Sequence, residues 1–250
     1  MTPTVLYLRP INDCQSSIEC EVIMGIPERK EREKEARKEE IINAAQKIFF
    51  EKGLPASTMD EIAEAAELSK GTLYLYYKSK EDLYLAVTMR GSELLYQMFE
   101  RATNTGQPTI RLIMNLGDTY YEYFKQHRNF FRMYYFFENT QFHKQVSQEM
   151  LSQCLTTDQK IWGVVIGLLR RGIDDGLLKS DLNPTQAAVI LWSSANALMR
   201  QMDREENSYW TESMGIDLED TMRKAYQLLL ESMMTEKGME QYRQLQSGTQ

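Results

Sequence analysis

Histidine and cysteine are nearly missing: the 250 residues hold two of one and three of the other. Cys14, Cys20 and Cys154 contain no Cys-x-x-Cys pair and build no disulfide framework, which points to a reducing compartment and hence the cytoplasm. His127 and His143 stand among helix-surface residues, and no His-Glu-x-x-His, Glu-x-x-His, Gly-x-Ser-x-Gly or phosphate-cradling glycine-rich loop occurs. Neither a metal, a cofactor nor an enzyme is therefore expected. Cys154 lies eleven residues after His143, but without an orienting group a catalytic pair is outweighed by ordinary packing. No run of about 18 apolar residues is present, so no membrane partner is expected. The apolar patch at residues 5–8 is broken by Arg9 and Asp13 and makes no signal-peptide core. Sustained strand alternation is absent as well, and no repeat is found, which leaves an all-α reading.

Basic charge is also short, with a formal net charge of −7. A negative net charge does not by itself exclude nucleic acid, because contact depends on local charge. Residues 25–90 hold 12 basic and 13 acidic side chains, and the acids gather ahead of residue 68. Residues 68–80 carry Lys70, Lys78 and Lys80 and no carboxylate.

Around this stretch lie three helix starts. Thr58 with Glu61 forms a capping box, Ser69 suits the next N-cap, and Ser79 with Asp82 offers a third. Short connections between them describe a helix-turn-helix unit. Thr72 and Tyr74 are suited to phosphate oxygens, and Gly71 lets the backbone come close. Leu73 and Tyr77 fall on the opposite face, toward a core shared with Ile62 and Leu83.

Residues 40–87 resemble the DNA-binding domain of the TetR family of bacterial regulators. The match runs through Ile41-Ile42-x-Ala44-Ala45-x-x-Ile48-Phe49-x-x-x-Gly53, then Thr58 and Ile62-Ala63, and then Leu68-Ser69-Lys70-Gly71-Thr72-Leu73-Tyr74-x-Tyr76-Tyr77-Lys78-Ser79-Lys80-Glu81-x-Leu83. The resemblance implies an all-helical homodimer, with a three-helix DNA-binding domain and a second helical domain for ligand binding and dimerisation. By motif position it places Thr58, Ser69, Lys70, Gly71, Thr72, Tyr74, Tyr76, Lys78 and Lys80 on double-stranded DNA. Lys70 and Tyr76 are expected to read bases, while Thr58, Thr72, Tyr74 and Lys80 hold phosphates. A pseudo-palindromic operator follows from the dimer. A basic arm of Arg29, Lys30 and Arg32 is weakened by the interleaved glutamates, which favour a solvated helix face.

The expected domains are 1–24, an extension that is disordered or foreign to the natural protein; 25–79, the DNA-binding domain; 80–236, the ligand and dimer domain; and 237–250, a polar tail. Helices are expected at 80–102, 110–127, 129–139, 142–175, 184–202 and 218–234. Asn183-Pro184 and Asp217 serve as caps. Gly91, inside the bridging helix, reads equally as a flexible point or a packing contact.

Of 26 aromatic residues, 11 fall within residues 120–142, too many for one core face. The excess suggests a cavity for an apolar or aromatic effector, lined by Met114, Tyr120, Tyr121, Phe124, Phe131, Tyr134, Tyr135 and Trp162. Residues 184–202 are apolar on nearly every face, as are residues 218–234, so both helices need cover on two sides. A four-helix dimer interface supplies it, through Ile190, Ala195, Leu198, Tyr226, Leu229 and Met233. The leading expectation is a repressor released from its operator by such a molecule. The alternative is an all-helical carrier or enzyme using the same cavity.

Overall fold

The computed structural model describes residues 26–137, 140–204 and 209–247, with side chains described for 28–134, 142–204 and 209–247. The extension at residues 1–24 lies outside the described residues. Among them the secondary structure is helical throughout, apart from one isolated bridge between Leu178 and Met234.

Helix α1 (Ile26–Ala56) turns at Gly53, whose φ of 70° lies in the left-handed region that glycine enters without a Cβ penalty. α2 (Met59–Ala65) begins at the capping box: the Thr58 hydroxyl oxygen accepts from Glu61 N, and Glu61 Oε2 accepts from Thr58 N at 3.0 Å. Ser69 caps α3 (Lys70–Tyr76) and Ser79 caps α4 (Lys80–Thr103) in the same manner. Ile41, Ala45, Phe49, Ile62, Leu73 and Leu83 close the core of this bundle. That core does not stop at α4. It continues through Tyr84 into Phe130, Met133, Phe142 and Val146, so the N-terminal bundle and the next helices share one apolar interior.

Helices α5 (Thr109–Gln126), α6 (Arg128–Phe137) and α7 (Thr140–His143) follow, then α8 (Gln148–Asp174), α9 (Pro184–Asp203), a π-helical turn (Tyr209–Ser213), α10 (Leu218–Met233) and α11 (Glu236–Ser247). Residues 142–175 were expected as one helix. They break instead before α8, where Val146 is buried and Ser147 N donates to Asp82 Oδ1 of α4 at 2.7 Å. The segment expected as a polar tail is also different: residues 236–247 form α11. Thr235 caps it through Gly238 N, Tyr242 is buried, and Gly238 sits so close to the Leu177 carbonyl that no side chain fits there. The apolar spacing Met239–Tyr242–Leu245 is its sequence signal, diluted by glutamines.

Gly91 is a packing contact. A Cβ there would lie 2.8 Å from the Phe130 ring, so its absence lets α6 approach α4. The flexible-point reading loses its support.

Candidate DNA-binding face and ligand cavity

One side of α3 is anchored and the other is bare. Leu73 is fully buried and Tyr77 nearly so, and burial pushes the Tyr77 phenol up to about 12. Ser69, Lys70, Gly71, Tyr74, Leu75 and Lys78 face solvent. Tyr74 is 45% exposed and Leu75 83%, more than any other large apolar side chain described. Leu75 was not among the expected contacts, although its place between two tyrosines one turn past Gly71 was visible. Gly71 is not required by its neighbours, since a Cβ would meet nothing closer than Ser69 Oγ at 3.8 Å. Its use is outward, in leaving the helix backbone open.

Several expected contacts are already engaged. Ser69 Oγ and Thr72 Oγ1 share a hydrogen bond of 2.8 Å, and Thr58 Oγ1 is held in the capping box. Tyr76 is half-buried and packs on the bundle core, which removes much of its reach as a base reader. Lys70 Nζ pairs with Asp60 at 2.7 Å, so an acid of α2 does reach α3, the recognition helix of the helix-turn-helix unit. Both partners are well exposed, and such a pair opens at little cost. Lys80 differs most from expectation. Its Nζ donates to Leu54 O at 2.8 Å and Ser57 O at 2.9 Å, tying α4 to the α1–α2 turn. It positions the bundle, with two of its three donors turned inward. In the arm, Arg29 pairs with Glu33, Arg37 with Glu40 and Lys38 with Glu35, the pattern of a solvated helix.

Between α4, α5, α8, α9 and α10 lies a cavity of about 560 Å³. Met114, Tyr120, Tyr121, Phe131, Tyr134 and Trp162 all line it, joined by Leu95 and Phe99 of α4 and Trp192 of α9. Phe124 stands behind the wall: it is 1% exposed and packs edge-on to Phe131 at 4.8 Å. The side chain of Tyr135 lies outside the described residues. Tyr120 reaches across to Asn196 Oδ1 at 2.8 Å, fixing α5 to α9 within the wall. Cys154 is buried in apolar surroundings that push its thiol up to about 12, unsuited to act as a nucleophile.

A family model for bacterial regulatory proteins of the tetR family matches residues 41–87, the stretch from α1 to the start of α4. The chain is 25% identical over 195 residues to the helix-turn-helix-type transcriptional repressor KstR2 of Rhodococcus jostii, covering 77% of this chain and 88% of that one. It is 28% identical over 151 residues to the helix-turn-helix-type regulator YhgD of Bacillus subtilis, covering 59% and 73%. In fold it is similar to the regulator FadR of Bacillus subtilis, solved with stearoyl-CoA, with a TM-score of 0.58 and 18% identity over 76% of this chain and 96% of that one. The TetR-family regulator PfmR of Thermus thermophilus gives 0.57 and 22%, over 76% and 97%. Residues 41–87 are a tetR-family DNA-binding domain.

That domain and the regulators it resembles mark the chain as a DNA-binding transcriptional regulator. Its other expected surface needs revision. Of the residues read as a dimer interface, only Ile190 is truly exposed, at 47%. Met233 is 5% exposed within the subunit and has almost nothing left to bury against a partner. Tyr226 donates its hydroxyl to Ile113 O at 2.7 Å, and with Ala195, Leu198 and Leu229 it faces the cavity. The outer apolar positions of these helices are Val189 and Ile190 on α9 and Leu228 on α10. Among the described residues no helix is long and apolar enough to cross a membrane, and no group of three or more His, Cys, Asp or Glu is placed to hold a metal.

Proposed function

We propose that this regulator is a repressor that binds a pseudo-palindromic operator as a homodimer and releases it when an apolar or aromatic molecule enters the cavity. The observation that carries the reading is the course of α4. It starts at Lys80, directly after the recognition helix, and its later residues Ser92, Leu95 and Phe99 form part of the cavity wall. A ligand pressing on that wall therefore moves a helix whose first turn is bonded to the α1–α2 turn. The two recognition helices must sit about 34–36 Å apart to enter successive major grooves. A small displacement is enough, and a coupling of about 1–3 kcal/mol releases the operator 5- to 150-fold more readily.

On the DNA face, exposed Tyr74 and Leu75 supply apolar contact to base edges, the thymine methyl being the natural partner of Leu75. Lys70, freed from Asp60, and Lys78 supply charge. The second copy docks on the outer faces of α9 and α10. Ile190→Asp or Leu228→Lys should yield monomers by light scattering, with specific DNA binding lost.

The direct test is a gel shift with DNA flanking the protein's own gene, at stated salt. A retarded band should appear, and Leu75→Ala should relax base preference. Absence of any shift by a well-folded dimer would favour a carrier that uses the cavity without regulating DNA.

A further inference from the structure

The cavity wall is aromatic and its charges are unevenly placed. Lys125 pairs with Glu122 at 2.9 Å, and Arg223 pairs with Glu219, so each basic side chain of the lining already has an acid beside it. Burial raises the Asp118 carboxyl above its ordinary value, and the attraction of Arg111 and Arg223 partly offsets this. All of these belong to α5 and α10. Asp158 is the acid of the lining that comes from α8, and it has no hydrogen bond or ion pair among the described residues. Burial alone pushes its carboxyl up to about 6, which leaves it mostly ionised at neutral pH. One helical turn on, at i+4 and on the same helix face, stands Trp162, also in the wall. Its ring meets that of Trp192 at 5.7 Å, and Trp192 in turn meets Tyr134 at 6.4 Å.

Building on the ligand-release reading above, we propose that the cavity selects a lipophilic organic cation, with its positive charge lying between Asp158 and Trp162. An ionised carboxylate in an apolar wall, without a cation opposite, is costly until one arrives. The negative faces of indole and phenol rings add to the attraction of a desolvated cation. The same arrangement repels an anion: a carboxylate or phosphate head group entering here meets Asp158 and finds each wall cation already paired. The cavity volume is within the usual range for drug-sized ligands, so a bulky aromatic cation fits the space as well as the charge.

The full chain is titrated with tetraphenylphosphonium and with tetraphenylborate, ions of nearly equal size and opposite charge, following the fluorescence of Trp162 and Trp192. Entry into the cavity is checked with Ala195→Trp, which obstructs it with a bulky side chain on the lining. The phosphonium should bind the native protein at least about ten-fold more tightly than the borate. Asp158→Asn should bring the two affinities close together, and Asp158→Glu should restore the gap. Equal affinities, a preference for the borate, or a preference untouched by Asp158→Asn would overturn the charge selection. The ligand-release reading would survive that result as long as Ala195→Trp abolished binding. If neither ion binds, nor neutral naphthalene, both the selection and the cavity reading fall.

Discussion

Asp82, in the first turn of α4, accepts a 2.7 Å hydrogen bond from the backbone N–H of Ser147, the residue that caps α8. Ser79 Oγ accepts in turn from Asp82 N at 3.0 Å, so the exit of the recognition helix, the start of α4 and the start of α8 are bonded in series. Asp82 is 2% exposed, and its charge lies at a helix N-terminus where the dipole favours it. Since α8 also carries Trp162 into the cavity wall, the contact is a second route from ligand to DNA besides the length of α4. Asp82→Ala should lower stability by about 2 kcal/mol in urea denaturation, because a buried N–H loses its charged acceptor. It should also weaken the effect of any cavity ligand on DNA affinity. A variant with native stability and native coupling would remove Asp82 from both roles.

The two lysines flanking Ser79 should separate cleanly. Lys78 is exposed, and Lys78→Ala should reduce the salt dependence of DNA binding by about one phosphate's worth. Lys80 holds the carbonyls of Leu54 and Ser57, so Lys80→Ala should first appear as a stability loss of about 2 kcal/mol. DNA binding would then fall in step with folding. If Lys80→Ala melted like the native protein yet flattened the salt dependence, its ammonium would be a phosphate contact after all.

What the sequence made legible was local. Thr58 with Glu61, Ser69, Ser79, Asn183 and Asp217 each cap the helix they were expected to cap, because a cap needs only three or four neighbouring residues. The crowding of aromatics near residue 120 likewise pointed to a cavity that the fold contains. Pairings across the chain were not legible. Lys80 finds its acceptors 23 and 26 residues away, and Ser147 finds Asp82 at 65. The all-round apolar pattern of α9 and α10 had two possible covers, a cavity or a partner. The structure turns Ala195, Leu198 and Leu229 to the cavity, leaving Val189, Ile190 and Leu228 outside. Periodicity reports that a face is apolar, not what it meets.

Gly91 offers a test of packing against flexibility. Its missing Cβ makes room for Phe130. Gly91→Ala should therefore destabilise by about 1–3 kcal/mol, despite alanine's better helix propensity. Phe130→Leu in the same chain should recover part of that loss. Thermal melting of the single and double variants decides the matter: a stabilised Gly91→Ala would mean that the α4–α6 contact yields easily.

Asp158 sets a pH dependence whose sign is fixed by its environment. Burial raises its pKa from an ordinary 3.8 to about 6, so between these values the folded chain holds a proton that the unfolded chain has released. Its contribution to stability is full below about pH 4 and is lost as pH rises through about 6. Asparagine has no proton to lose. The melting temperature of Asp158→Asn should thus match that of the native protein near pH 3.5, provided both remain folded there. It should then rise above the native value between pH 4 and 7 and keep a constant lead beyond. Tetraphenylphosphonium should narrow that lead at pH 7.5, because it stabilises the ionised native side chain and gains nothing from asparagine. Parallel melting curves at every pH, or a lead that appears only in acid, would show that Asp158 is well solvated and carries no unmet charge into the cavity.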